Sequence, residues 1–258
     1  MPMRSFPNDA NATDDGVSAV TPTPVSGLAR FARAVRDWLK SLAIALLLFL
    51  IVRTFLVEAF RIPTRSMENT LLAGDFLLVN KAVYGAQVPG TDTRLPAFGE
   101  PRRGDVIVFT PPHEPDRHYV KRVVGVAGDT LAMIDKTLYV NGAPLSEPYA
   151  RYTDSDPLGD YSAPSMLWQR GFLADRIEER TYHPSRDNWG PLVVPTDRYF
   201  VLGDNRDDSE DSRFWGFVDA DAITGRPLMV YYSFDPATLG SFAYLTQVRW
   251  GRIGGLIH

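Results

Sequence analysis

The sequence predicts a mainly β protein: a membrane-anchored, β-rich domain of many short strands, with a less regular inserted subdomain and one N-terminal transmembrane helix. Three observations predict it. The longest apolar stretch lies near the N-terminus, from Trp38 to Val57. Short runs of β-branched and aromatic residues follow, punctuated by Gly, Asp and Asn. Between 144 and 197 that pattern fades into Pro, Asp, Tyr and Trp with weak periodicity.

Residues 1–27 are polar and poor in large apolar groups, so they read as a disordered tail. Arg30, Arg33, Arg36 and Lys40 follow, and 1–37 is taken as a cytoplasmic tail with a basic flank. The anchor is placed at 38–57. Its strictly uncharged core, Ser41 to Val52, is short of the roughly 20 residues a span takes. Lys40 and Arg53 can snorkel, which makes Trp38 to Val57 long enough. A buried soluble helix and a cleavable signal peptide are the alternatives. Cleavage is disfavoured because the run leads straight into a candidate active site. Basic residues before the helix predict a cytoplasmic N-terminus, so the chain after Phe60 is exported.

Strands are expected at 75–83, 105–109 and 119–126, with a hairpin of 130–134 and 137–140 turning at Asp135-Lys136. An Asn141-Gly142 turn follows, then strands at 199–202 and 223–232. Residues 58–143 and 198–258 are assigned to one β domain and 144–197 to the insert.

Composition narrows the chemistry. Of 258 residues, 45% are hydrophobic, enough for a proper core. The net charge of −4 gives no basic signature for nucleic acid. With no cysteine, disulfides, iron–sulfur clusters and cysteine-held zinc are excluded. His113, His118, His183 and His258 form no HExxH and no close pair, so no metal and no cofactor is expected.

Two residues suggest a reaction. Ser66 sits in Ile62-Pro63-Thr64-Arg65-Ser66-Met67, and Pro63 biases Ile62 to an extended edge. Lys121, one of four lysines, lies in Tyr119-Val-Lys-Arg-Val-Val-Gly125. A serine needs a base to become a nucleophile, and a lysine serves only where burial lowers its pKa. On a period of two, Tyr119, Lys121 and Val123 share one face and Val120, Arg122 and Val124 the other. If the first face is covered, Lys121 is desolvated. Taken alone, Ser66 reads as a surface serine and Lys121 as a solvated strand lysine. No serine sits in GxSxG or begins SxxK. The acidic run Gly203 to Gly216 fails the EF-hand register and reads as a tightly hydrogen-bonded loop.

Three boxes in order, after an anchor, resemble bacterial type I signal peptidase (leader peptidase). The first is Ile62 to Met67 with Thr70-Leu71 and Gly74-Asp75. The second is Lys121-Arg122 with Gly125, Gly128 and Asp129. The third is Gly203-Asp-Asn-Arg206, Ser209, Asp211-Ser-Arg213 and Trp215-Gly216. The resemblance implies a membrane serine endopeptidase with a Ser/Lys dyad. Ser66 would be the nucleophile and Lys121 the general base. The Ser66 N–H and the Thr64 hydroxyl would form the oxyanion hole, and Ser209 would orient the lysine. Asp211 and Arg213 would give structural support. By motif position, Phe60, Ile62, Met67, Leu71, Tyr119 and Val120 would line pockets for the small residues of an Ala-x-Ala site; ordinary core packing is the alternative for each. The implied partners are signal peptides of exported preproteins and membrane lipids. The implied location is the bacterial inner membrane, single-pass, with the catalytic domain on the extracytoplasmic face. Three positions depart from the family: Asn69 stands where Pro is usual, Arg65 where a small residue often precedes the serine, and Thr64 where serine is common. The rivals are a soluble self-cleaving Ser/Lys repressor and an anchored, inactive paralogue that binds without cutting.

Overall fold

The structure, a computed structural model, describes residues 27–88, 90–91, 93–153, 163–174, 181–237 and 243–257. The chain divides into two compact units, 1–47 and 48–258. Most of the expected N-terminal tail, 1–26, lies outside the described residues.

In the first unit the chain is helical from Gly27, so Arg30, Arg33, Arg36 and Lys40 are helical residues. Helix α1 runs Gly27–Ile51, and a single π-helical turn, Val52–Leu56, prolongs it. Arg30–Leu56 is the one described helix long and apolar enough to cross a membrane, and none of its apolar window is buried. Leu42, Leu46, Phe49 and Leu50 all face outward, which suits a lipid environment better than water.

The second unit is mainly β. Its larger sheet has seven strands in the order β1-β2-β11-β3-β4-β9-β10. These are β1 (Val57–Arg61), β2 (Asp75–Asn80), β3 (Val106–Phe109), β4 (Tyr119–Gly125), β9 (Arg198–Leu202), β10 (Val218–Asp219) and β11 (Ile223–Ser233). The smaller sheet has the order β7-β6-β5-β8. It comprises β5 (Thr130–Ile134), β6 (Thr137–Val140), β7 (Ala143–Pro144) and β8 (Trp189–Val193).

The expected hairpin is β5–β6, with Asp135 and Lys136 both at positive φ (47° and 65°), as a two-residue turn of this hand requires. β8 pairs with β5, so residues 130–144 and 189–193 make one sheet. β1 begins at Val57, where the sequence suggested the last residue of the helix. Its pairing with β2, Ala59 opposite Leu78, captures the segment before the Ile62–Met67 box.

β11 joins the two halves of the larger sheet by pairing with β2 along one part and β3 along another. Register shifts at Pro227/Met229 and Val230/Tyr232 bend it, and Pro227 has no N–H to give a ladder. In β2 burial alternates strictly, whereas β3 is buried throughout and β4 is buried on both faces from Lys121 onward. The question of which face of β4 is covered therefore has the answer that both are. Ile62, Met67, Leu71, Leu77, Val79, Val106, Val108 and Val230 form the core around the Ile62–Met67 box. Ile107, Phe109, Val123, Val201 and Val218 form the core on the other face.

Candidate active site

Ser66 lies in the turn that follows β1 and the extended Ile62-Pro63 segment. Two backbone hydrogen bonds, Ile62 N to Asp75 O and Gly74 N to Ile62 O, hold that segment to the start of β2. Asn205 N donates to the Ser66 carbonyl at 3.0 Å, so the 203–216 loop grips the Ser66 backbone. Among the described residues the Ser66 N–H donates to no acceptor.

Lys121 lies opposite Ile107 in the β3–β4 ladder. It is 4% exposed, and its Nζ donates to Ser66 Oγ at 2.7 Å and to the Val120 carbonyl at 3.3 Å. Burial dominates its titration and pulls its pKa from 10.5 down to about 8, against the smaller opposing pull of Asp211 and Glu210. A substantial fraction of the amine is thus neutral near physiological pH. Thr64 Oγ1 lies 3.4 Å from Ser66 Oγ, on the exposed side of the turn.

Asp211 and Arg213 are both buried and form a bidentate pair, with Nε to Oδ1 at 2.8 Å and Nη2 to Oδ2 at 2.9 Å. Burial alone would raise the Asp211 pKa, but the Arg213 guanidinium overrides it and holds the carboxyl below its usual range. Asp211 also accepts from Gly203 N at 3.0 Å, which fixes the start of the loop. Ser209 Oγ is buried and has no partner with hydrogen-bonding geometry among the described residues, although it is near enough to Asp211 to help keep that carboxylate ionised. Its side chain packs over Gly203, where a Cβ would come within 2.5 Å of the Ser66 carbonyl oxygen.

Phe60, Ile62, Met67, Tyr119 and Val120 line a cleft of about 670 Å³ together with Thr64, Ser66 and Lys121. Leu71 does not reach it; it is fully buried beneath Ile62 and Met67. β9 pairs with β4 only from Arg122 onward, so residues 119–121 have one backbone edge free of β9.

The family model described as signal peptidase, peptidase S26, matches residues 35–232. The chain belongs to the signal peptidase family. It is 36% identical over 234 residues to signal peptidase I of Pseudomonas aeruginosa, covering 85% of this chain and 78% of that one. It is 37% identical to signal peptidase I of Pseudomonas fluorescens over 222 residues, covering 81% and 76%. The Aquifex aeolicus signal peptidase I is 33% identical over 231 residues, covering 77% and 85%.

Within this signal peptidase family member, three residues quoted only as parts of motifs tie the boxes together. Arg122 reaches Asp204 in two hydrogen bonds of 2.8 Å, one from Nε and one from Nη2, and gives a third from Nη2 to Thr70 Oγ1 at 3.0 Å. Thr70 Oγ1 donates to Asp204 Oδ2 at 2.5 Å. Each of the three boxes contributes one member to this lock, and its signal in the sequence was a charged Arg122, beside Lys121, inside an otherwise apolar strand. Asn69, in place of the usual proline, has φ 107°, a conformation closed to proline, and its Nδ2 donates to Tyr149 O at 3.1 Å.

Proposed function

We propose that this chain is a membrane-anchored serine endopeptidase that removes signal peptides from exported preproteins after an Ala-x-Ala site. The observation that carries the reading is the 2.7 Å hydrogen bond from a buried lysine amine to the Ser66 hydroxyl inside an apolar cleft.

The substrate lies extended between the free edge at 119–121 and the segment leading to Ser66, and backbone hydrogen bonds hold it there. Phe60, Ile62, Met67, Tyr119 and Val120 leave room for small side chains before the cut. Neutral Lys121 takes the Ser66 proton as Oγ attacks the scissile carbonyl. The Ser66 N–H and the Thr64 hydroxyl stabilise the oxyanion. Lys121 then passes its proton to the leaving amine. An ester remains, which water activated by Lys121 hydrolyses. An ammonium has three donors. Ser66 Oγ and Val120 O account for two, and the unpartnered Ser209 hydroxyl is available to orient the amine through the third. Asp211 and Arg213 hold the loop that carries Ser209. The Arg30–Leu56 helix anchors the chain, with the N-terminus cytoplasmic, in a bacterial inner membrane. This keeps Ser66 at the level where a precursor's cleavage site emerges from the bilayer.

The test is cleavage of an Ala-x-Ala preprotein by purified protein in detergent, with wild type, Ser66→Ala and Lys121→Ala side by side and the product N-terminus sequenced. Cutting after the second Ala by wild type alone is the expected result. Folded wild type that binds the precursor without cutting it would favour a non-catalytic receptor.

A further inference from the structure

Besides Lys121, five charged side chains line the active-site cleft: Arg61, Arg65 and Arg117, and the acids Asp208 and Glu210. Most are engaged. The Arg61 guanidinium lies over the rings of Phe76 and Phe234, at 5.9 and 5.5 Å. Arg117 pairs with Glu114 at 3.2 Å. Glu210 faces His113 at 3.9 Å. Arg65 differs: it is exposed, adjoins the nucleophile, and its guanidinium has no ion-pair, hydrogen-bond or ring partner among the described residues.

We infer that Arg65 is a specificity-determining residue that selects substrates with a carboxylate close to the scissile bond. This rests on the peptidase reading above. Arg65 stands between Ile62 and Ser66 in the segment that lines the cleft, so its guanidinium is within reach of residues next to the scissile bond. A guanidinium forms charge-assisted, often bidentate hydrogen bonds with a carboxylate, and an unpaired one gives up no existing partner to do so. The acids Asp208 and Glu210 belong to the 203–216 loop and would favour a cationic substrate if they governed this end of the cleft. The two possibilities predict opposite preferences.

The experiment uses the full chain in detergent and one neutral peptide with Ala-x-Ala before the cut. The x position before the cut and each of the first three positions after it carry Ala, Asp or Lys in turn. Wild type should cut the best-placed Asp peptide roughly three- to tenfold more efficiently in kcat/KM than its Lys counterpart, the scale of one partly solvated charge pair. The preference should shrink as salt is raised. Arg65→Ala should level the Asp/Lys ratio and Arg65→Glu should invert it, each ratio being internal to one variant and so independent of its overall activity. Equal rates on Asp and Lys peptides, a preference for Lys, or a preference that survives in Arg65→Ala would overturn the inference. Failure of wild type to cut the neutral peptide would instead bring down the peptidase reading on which it rests.

Discussion

Lys121 Nζ donates a 2.7 Å hydrogen bond to Ser66 Oγ across 55 residues of chain. Neither residue is free to approach the other. Ser66 is gripped through its carbonyl by Asn205, and Lys121 is fixed by its place opposite Ile107. Their meeting is a property of the sheet and its loops.

The first prediction concerns pH. Only the neutral amine can accept the serine proton, and the Lys121 pKa lies at about 8. At pH 7 about a tenth of the molecules then carry the active form. Cleavage should rise close to tenfold per pH unit below 8 and level off by about pH 9. A pH–rate profile of kcat/KM that keeps climbing towards 10 would contradict a desolvated base.

The same burial has a stability consequence. The folded pKa of Lys121, about 8, lies below the ordinary value of 10.5. Between these values the unfolded chain holds a proton that the folded chain has lost, so this group adds stability as pH rises. Below pH 8 it is a penalty on the order of 3 kcal/mol. Lys121→Met should therefore be inactive yet melt higher than wild type at pH 7. The gap should narrow between pH 8 and 10.5. Thermal scans across that range on both proteins would decide the matter, and a less stable variant at pH 7 would refute it.

Gly203→Ala tests the floor of the site. The added methyl would press on the Ser209 side chain and on the Ser66 carbonyl oxygen. Displacing Ser66 by close to an ångström should lower kcat by about a hundredfold. Far-UV circular dichroism should remain that of wild type. Normal kcat in this variant would show that the loop can yield without moving Ser66.

Arg122→Met removes the cation from the buried lock and leaves the Asp204 carboxylate without it. Breaking a buried pair from one side costs about 3–5 kcal/mol. Arg122→Met combined with Asp204→Leu should recover part of that loss in chemical denaturation. A double variant as unstable as the single one would mean that Arg122 stabilises the fold in some way other than by neutralising Asp204.

Much of this protein was legible in its sequence, for physical reasons. β5 and β6 came out residue for residue because their alternation is interrupted by two residues suited to positive φ. That Ser66 and Lys121 belong to one site was legible through motif order, and the two do meet. What escaped notice depended on distant partners. β1 resembles the end of an apolar helix until β2 is alongside it. β8, with a glycine and a proline at its centre, has no strand pattern of its own and exists by pairing with β5. Leu71 carries a motif position, yet it is fully buried and does not line the cleft. Ser209 was expected to touch the lysine, yet its hydroxyl has no partner among the described residues.

Lys121 and Arg122 are consecutive residues with opposite destinations. The amine turns to Ser66, its pKa pulled down by burial, and the guanidinium turns to Asp204, keeping its charge. Successive side chains of a strand point to opposite faces, so a slip of β4 by one residue would exchange them. An always-charged guanidinium would then face the hydroxyl and a deprotonatable amine would face the carboxylate. Composition and fold would be unchanged and chemistry would stop. The 110–118 segment that joins β3 to β4 can vary in length only insofar as it delivers β4 in phase. In that sense the activity is encoded in the parity of one strand as much as in the identity of two residues.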